Sequence, residues 1–187
     1  FCMEYALQSD VKLYAGGLGI LAGDYMKGAK DHGYLMVDIG IKWKQGYSDQ
    51  QITKNNKVID TYPIYKYPFL KDTGKMVTVK IRGRDVKIKI WLDTTHGTVP
   101  LYLLDTDVPG NEDGWITGQL YGWFGEERIA QEMVLGIGGV RAVPDFSAES
   151  KSTSSFRPES AGSAATRTDS VSRSARASFF RFEERSA

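Results

Sequence analysis

Six consecutive residues, Tyr14-Ala15-Gly16-Gly17-Leu18-Gly19, carry the most chemical content in this sequence. Glycines at a strand-to-helix turn bare the main chain, so a ligand can come close to its N–H groups, and the start of the following helix adds partial positive charge. That combination suits a phosphate or a sugar phosphate. Glycine-rich turns also arise because a turn is tight, so the loop by itself leaves both readings open. Two other phosphate loops are excluded. There is no G-x-x-x-x-G-K-[ST], and after Gly17 and Gly19 the third position of G-x-G-x-x-G is Ala22.

Other reactive side chains read more plainly. Only two histidines, His32 and His96, and one cysteine, Cys2, are present, too few soft ligands for a zinc site, and no metal is expected. Neither histidine has an identifiable carboxylate or nucleophile partner. Asp105 and Asp107 could ligate a hard cation, but a lone Asp-x-Asp in a loop reads as a turn former. Lys80, Lys87 and Lys89 alternate with apolar residues and form one solvated sheet face, not a nucleic-acid surface.

The elements that must position the glycine loop follow from periodicity. Residues 1–6 read as a short strand and 7–15 as a loop. Leu18, Leu21, Ala22, Tyr25, Met26 and Ala29 fall on one apolar stripe of a helix, which Gly33 ends. Tyr34 to Trp43 is mostly apolar, as in a buried parallel strand, completing a β-α-β unit. Val77, Val79 and Ile81, then Val86, Ile88 and Ile90, alternate with polar residues around Arg82-Gly83-Arg84-Asp85, a hairpin. Val99 to Leu104 is a further strand. A last helix runs from about Glu126 to Val143, its acidic start suiting the helix dipole and Ile129, Met133, Ile137 and Val140 facing the core. Gly136, Gly138 and Gly139 within it point to close packing against a neighbour.

Composition sets the class. The chain has 187 residues with 41% hydrophobic and 25% charged residues and a net charge of +1, which describes a globular protein and indicates neither nucleic acid nor anionic membrane as partner. No apolar run is long enough to span a bilayer and none resembles a signal peptide, so the context reads as cytoplasmic. The average hides a division. All ten tyrosines and all four tryptophans precede Pro144, whereas residues 144–187 hold twelve serines, six arginines and a single lysine. Such a Ser/Arg tail cannot bury enough apolar area to offset its ordering entropy and is expected to be disordered. The switch from lysine to arginine suggests a shifted reading frame. The opening Phe1-Cys2-Met3-Glu4-Tyr5, without an initiator methionine, reads as cut inside a strand.

Several of these segments together resemble the amino-terminal domain of the α-glucan (glycogen/maltodextrin) phosphorylase family, bacterial and archaeal type. They are Phe1 to Tyr5, Tyr14 to Asp24, Gln45-Gly46-Tyr47 with Gln50, and Leu103 to Pro109 with Asn111. Leu120-Tyr121-Gly122, Arg128, Gln131, Glu132 and Leu135 to Ala142 follow in order. The resemblance covers residues 1 to about 143 and stops at Pro144.

It implies an α/β fold, a partial GT-B (Rossmann-like) amino-terminal domain with an antiparallel β insertion over 1–143, followed by the tail at 144–187. It implies a hexosyltransferase that cleaves α-1,4-glucan with phosphate to glucose 1-phosphate, using pyridoxal phosphate, in a parent that could be a homo-oligomer. By the same resemblance Gly16, Gly17, Leu18 and Gly19 lie beside the phosphate and glucosyl sites, and Tyr121, Gly122 and Trp123 belong to a loop at the mouth of the active site. The family's histidine strand and its cofactor lysine have no counterpart here, so the chain alone is expected to be catalytically silent. Two alternatives stand beside this reading: a non-catalytic carbohydrate-binding remnant, and a glycogen or starch synthase-like GT-B enzyme. Synthases place a lysine two residues before the glycine pair, where this sequence has Tyr14.

Overall fold

A computed structural model describes residues 1–122 and 125–142; Trp123, Phe124 and everything from residue 143 onward, including the Ser/Arg tail, lie outside the described residues. The elements in chain order are α1 (Gly17–Asp31), β1 (Asp38–Ile41), β2 (Asp49–Ile52), β3 (Val58–Thr61), β4 (Lys71–Ile81), β5 (Arg84–Asp93) and β6 (Leu101–Asp105). A 3-10 turn (Gly114–Thr117) and helix α2 (Glu126–Met133) follow, and α2 continues through a π-helical turn at Val134–Gly138.

Four strands form one sheet in the order β1-β6-β5-β4, and β2 with β3 forms a separate hairpin. β6 runs parallel to β1 and antiparallel to β5. A strand held between two neighbours and covered on both faces has no polar side, and all five β6 residues are buried. The β4–β5 hairpin turns on two residues, Arg82 (φ 51°) and Gly83 (φ 79°), the doubly left-handed connection that matches strand twist. Val79, Ile81, Val86, Ile88 and Ile90 are buried, as their alternation predicts. The alternation said nothing of the β2–β3 hairpin.

The first predicted strand does not form. Residues 1–6 join no ladder and make single hydrogen bonds to separate segments, Cys2 N–H to Ile39 O at 3.0 Å and Tyr5 N–H to Leu13 O at 2.9 Å. Met3, Glu4 and Tyr5 are buried in succession, so the side chains do not alternate as a ladder requires. The unit is therefore loop-helix-strand, and the following strand is only Asp38–Ile41, with Tyr34 and Leu35 exposed.

Both helices are rotated from their predicted faces: Met26 and Ala29 of the α1 stripe are buried and Ala22 and Met133 pack against the core, but the bulkier members of both stripes face outward. In α1 the buried residues are Gly19, Gly23, Met26 and Ala29, while Leu21 and Tyr25 are 68% and 67% exposed. The cause is backbone-to-backbone contact: Ala6 N–H donates to Gly19 O at 2.9 Å, and a Cβ at Gly23 would lie 2.1 Å from Ala6 O. Only the small face can come that close. The helix ends as predicted at Gly33 (φ 67°), where Gly33 N–H bonds Lys30 O and Tyr34 N–H bonds Ala29 O. In α2 and its extension Ile129, Ile137 and Val140 are exposed, and the buried residues are Ala130, Gln131, Val134, Leu135 and Gly138. Gly138 and Gly139 allow close packing, against Ile88 and Phe1, whereas a Cβ at Gly136 would meet nothing.

The tight α1 contact makes Gly23→Ala costly. The substitution is expected to lower stability by about 1–3 kcal/mol, read as a lower urea midpoint at unchanged slope. An unshifted midpoint would show that α1 does not rest on residue 6.

Candidate functional site

The glycine loop is built around a buried carboxylate. Glu4, 3% exposed, accepts hydrogen bonds at Oε2 from the amides of Ala15 (2.9 Å) and Gly16 (3.0 Å). Its Oε1 accepts one from the Tyr121 hydroxyl at 2.6 Å, across 117 residues of sequence. Desolvation pushes the Glu4 carboxyl up, but the hydrogen bonds from Tyr121, Ala15, Gly16 and Gly19 outweigh it, and the group titrates below its ordinary value. A carboxylate at the start of a helix also meets the positive end of the helix dipole.

The four loop residues therefore differ in what they offer. The Gly16 amide is taken by Glu4. Gly19 is buried: its amide bonds Gly16 O at 3.1 Å, and a Cβ there would lie 2.4 Å from Tyr14 Cβ. Gly17 and Leu18 are exposed, and their amides have no partner among the described residues. A Cβ at Gly16 or Gly17 would meet no atom within 4 Å, and neither residue has positive φ. Nothing in the described structure therefore requires glycine at 16 and 17.

Tyr121 is the second wall of this arrangement. It has φ 56°, uncommon for a residue with a side chain, and the Arg128 guanidinium lies 4.7 Å from its ring centre. Burial, together with the Glu4 charge, pushes its phenol well up. Gly122 is crowded by the Gln119 side chain, 2.4 Å from where a Cβ would stand. Trp123 lies outside the described residues. Gln131, fully buried on α2, donates to Ile116 O and Gln119 O, both at 3.1 Å, and so fixes the turn that delivers Tyr121. The stretch 45–47 joins from another side, with Gln45 N–H on Gly118 O at 2.8 Å and Leu120 N–H on Gly46 O at 2.9 Å.

The acidic residues of the 105–107 loop are spent on structure. Asp105, 2% exposed, takes Lys42 Nζ at 2.8 Å and Trp91 Nε1 at 3.0 Å, and Asp107 pairs with Lys44 at 2.7 Å. His96 does have a carboxylate partner: its Nδ1 is 2.5 Å from Oδ2 of buried Asp93, three residues earlier, with the ring edge-on to Phe69. His32 Nδ1 lies 2.8 Å from Gly28 O. Among the described residues no cluster of three metal-ligating side chains occurs, and no helix is long and apolar enough to cross a membrane. In the sequence the one signal of Glu4 is an acid standing alone between Met3 and Tyr5 in an apolar stretch.

No protein-family model matches the chain. Curated relatives do. Maltodextrin phosphorylase of Thermococcus litoralis is 42% identical over 150 residues, which is 75% of this chain and 18% of the relative. Glycogen phosphorylase of Mycobacterium tuberculosis is 38% identical over 164 residues, 82% of this chain and 19% of the relative. Glycogen phosphorylase of Aquifex aeolicus is 35% identical over 152 residues, 73% and 21%. Among solved structures, the catalytic domain of starch synthase IV from Arabidopsis thaliana, bound to ADP and acarbose, superposes with a TM-score of 0.43 at 22% identity, covering 72% of this chain and 24% of that one. The sequence thus falls among the phosphorylases. It is a relative of the bacterial and archaeal glycogen and maltodextrin phosphorylases, and it spans about a fifth of the length of those it matches.

The Glu4 arrangement has a pH signature. Because the folded carboxyl titrates below the ordinary value of 4.5, its contribution is complete above pH 4.5 and is lost as pH falls through the folded value. The stability advantage of the native chain over Glu4→Gln is therefore expected to be constant at neutral pH and to shrink below pH 4.5, measured by urea unfolding across pH. A gap that stays constant to low pH would contradict an ionised, hydrogen-bonded Glu4.

Proposed function

We propose that this chain is part of an α-glucan phosphorylase, forming one α/β wall of a GT-B glycosyltransferase, with the start of α1 facing the phosphate and the glucosyl unit. The observation that carries the reading is the bare main chain at 16–18: two glycines that no internal contact requires, beside two amides with no partner among the described residues. Main chain without side-chain bulk at a helix start suits a ligand that is both crowded and anionic. Neighbouring Glu4 occupies the Ala15 and Gly16 amides, so the anion would be met by Gly17 and Leu18.

In phosphorolysis the bond between C1 and the glycosidic oxygen breaks, a phosphate oxygen bonds C1, and the departing oxygen takes a proton. Positioning and charge stabilisation of that kind require groups on both sides of the sugar. Pyridoxal phosphate, implied by the resemblance, would supply a phosphate group as proton partner and would be held by a lysine. The family's cofactor lysine has no counterpart in this sequence, and the apolar depression on α2, lined by Ile129, Glu132, Met133, Gly136, Ile137, Val140 and Arg141, contains no lysine. A cytoplasmic setting accords with a substrate of this kind.

Isothermal titration of the 187-residue chain with maltoheptaose and with glucose 1-phosphate tests the reading. Binding is expected for the native chain and at least tenfold weaker for Gly17→Ala, whose unfolding midpoint should be unchanged or slightly raised, because the added methyl enters open space. Equal binding by native and variant chains would remove the assignment. With maltoheptaose, phosphate and added pyridoxal phosphate, the chain alone is expected to form no glucose 1-phosphate; turnover would overturn that expectation.

A further inference from the structure

We propose that Tyr121 and Glu4 form a latch that decides which main-chain amides the glycine loop presents, making Tyr121 a positioning residue for the loop and not a platform for sugar. The role of the loop in binding rests on the reading above; the latch itself is a property of the chain. Three observations converge on it. Glu4 divides its oxygens, one for the Ala15 and Gly16 amides and the other for the Tyr121 hydroxyl, so the position of one set of donors constrains the other. Tyr121 sits at φ 56°, a conformation a side chain disfavours, and persists there because surrounding contacts over-determine it. Those contacts are the hydroxyl bond to Glu4, the Arg128 guanidinium 4.7 Å from the ring centre and, at the next residue, the Gly122 N–H bond to the Gln119 carbonyl, which Gln131 also engages.

A buried carboxylate must keep its donors, since an ionised group without them is costly in a low dielectric. If the phenol leaves, Glu4 has lost the donor on Oε1 and is drawn toward water. The amides of Ala15 and Gly16 then lose their acceptor, and the loop offers four amides of mixed orientation in place of two. Residues after Leu120 and residues before α1 are thereby one mechanical unit, although no strand or helix joins them.

The test is amide hydrogen exchange by NMR on the full 187-residue chain without ligand. Tyr121→Phe removes only the hydroxyl and is expected to speed exchange of Ala15 and Gly16 by about tenfold, the scale of one hydrogen bond to a charged group, while Ile88 and Leu103 in the sheet keep their rates. In a Glu4→Gln background the same substitution should add much less, because the hydroxyl acts through the carboxylate; a ring that merely packs would add its full effect in both. Unchanged Ala15 and Gly16 rates in Tyr121→Phe, or full additivity, overturn the latch. Should Tyr121→Phe not fold, Glu4→Gln alone decides: faster exchange at Ala15 and Gly16 together with Gly122 supports it, and faster exchange at Ala15 and Gly16 only overturns it. Failure of the native chain to bind maltoheptaose sinks the functional reading and leaves these exchange outcomes as they are.

Discussion

A carboxylate buried to 3% exposure has to be satisfied locally, and the region around the glycine loop is arranged to do so. Glu4 gathers donors from two parts of the chain: the loop before α1 supplies two amides, and the turn after Leu120 supplies a phenol. Each contributor is held by further structure. α1 rests on the backbone of residue 6 through Gly19 and Gly23, and the Tyr121 turn is clamped by Gln131 on α2. The mixed sheet lies behind them. Its most buried strand, β6, ends at Asp105, whose carboxylate in turn collects Lys42 from β1's end and Trp91 from β5. Charge satisfaction thus organises both the loop and the strand ends.

How much of this could be read in the sequence depends on the range of the interaction. Short-range signals were legible: the helix start at Gly17, its stop at Gly33, and the alternating runs of the β4–β5 hairpin all express φ preferences or period-two burial within a few residues. Periodicity also identified the two helices. It placed the inner face only in part, with Met26 and Ala29 buried, because hydrophobicity ranks bulk, and the inner face of α1 is centred where two backbones approach closely. Leu18, Leu21 and Tyr25 made the stronger stripe and are on the outside among the described residues. In α2 Met133 packs against the core as expected, while the π-helical turn and Gly138 bring the narrow face to Ile88 and leave Ile129, Ile137 and Val140 exposed.

The site was legible in part. The glycine loop stands out from residue types alone, and the family resemblance puts Tyr121 in a loop at the mouth of the active site. Neither route assigned Glu4 its task, since a lone acid in an apolar stretch does not announce which amides it will accept. The Asp93–His96 pair was missed for a different reason: three residues apart at a strand end, they meet only because the chain turns back after β5. Residue types indicate what chemistry is available, while the pairing of donors with acceptors is a product of the tertiary arrangement.

The hydrogen bond between Tyr121 and Glu4 spans 117 positions, and that separation has a consequence for biosynthesis. At roughly 5–20 residues per second, a ribosome needs on the order of ten seconds after emitting the first donors to emit the last. Throughout that interval the nascent chain carries an acid whose final partner does not yet exist. The loop's finished geometry is therefore among the later events of vectorial folding, whatever the speed at which helix α1 itself winds.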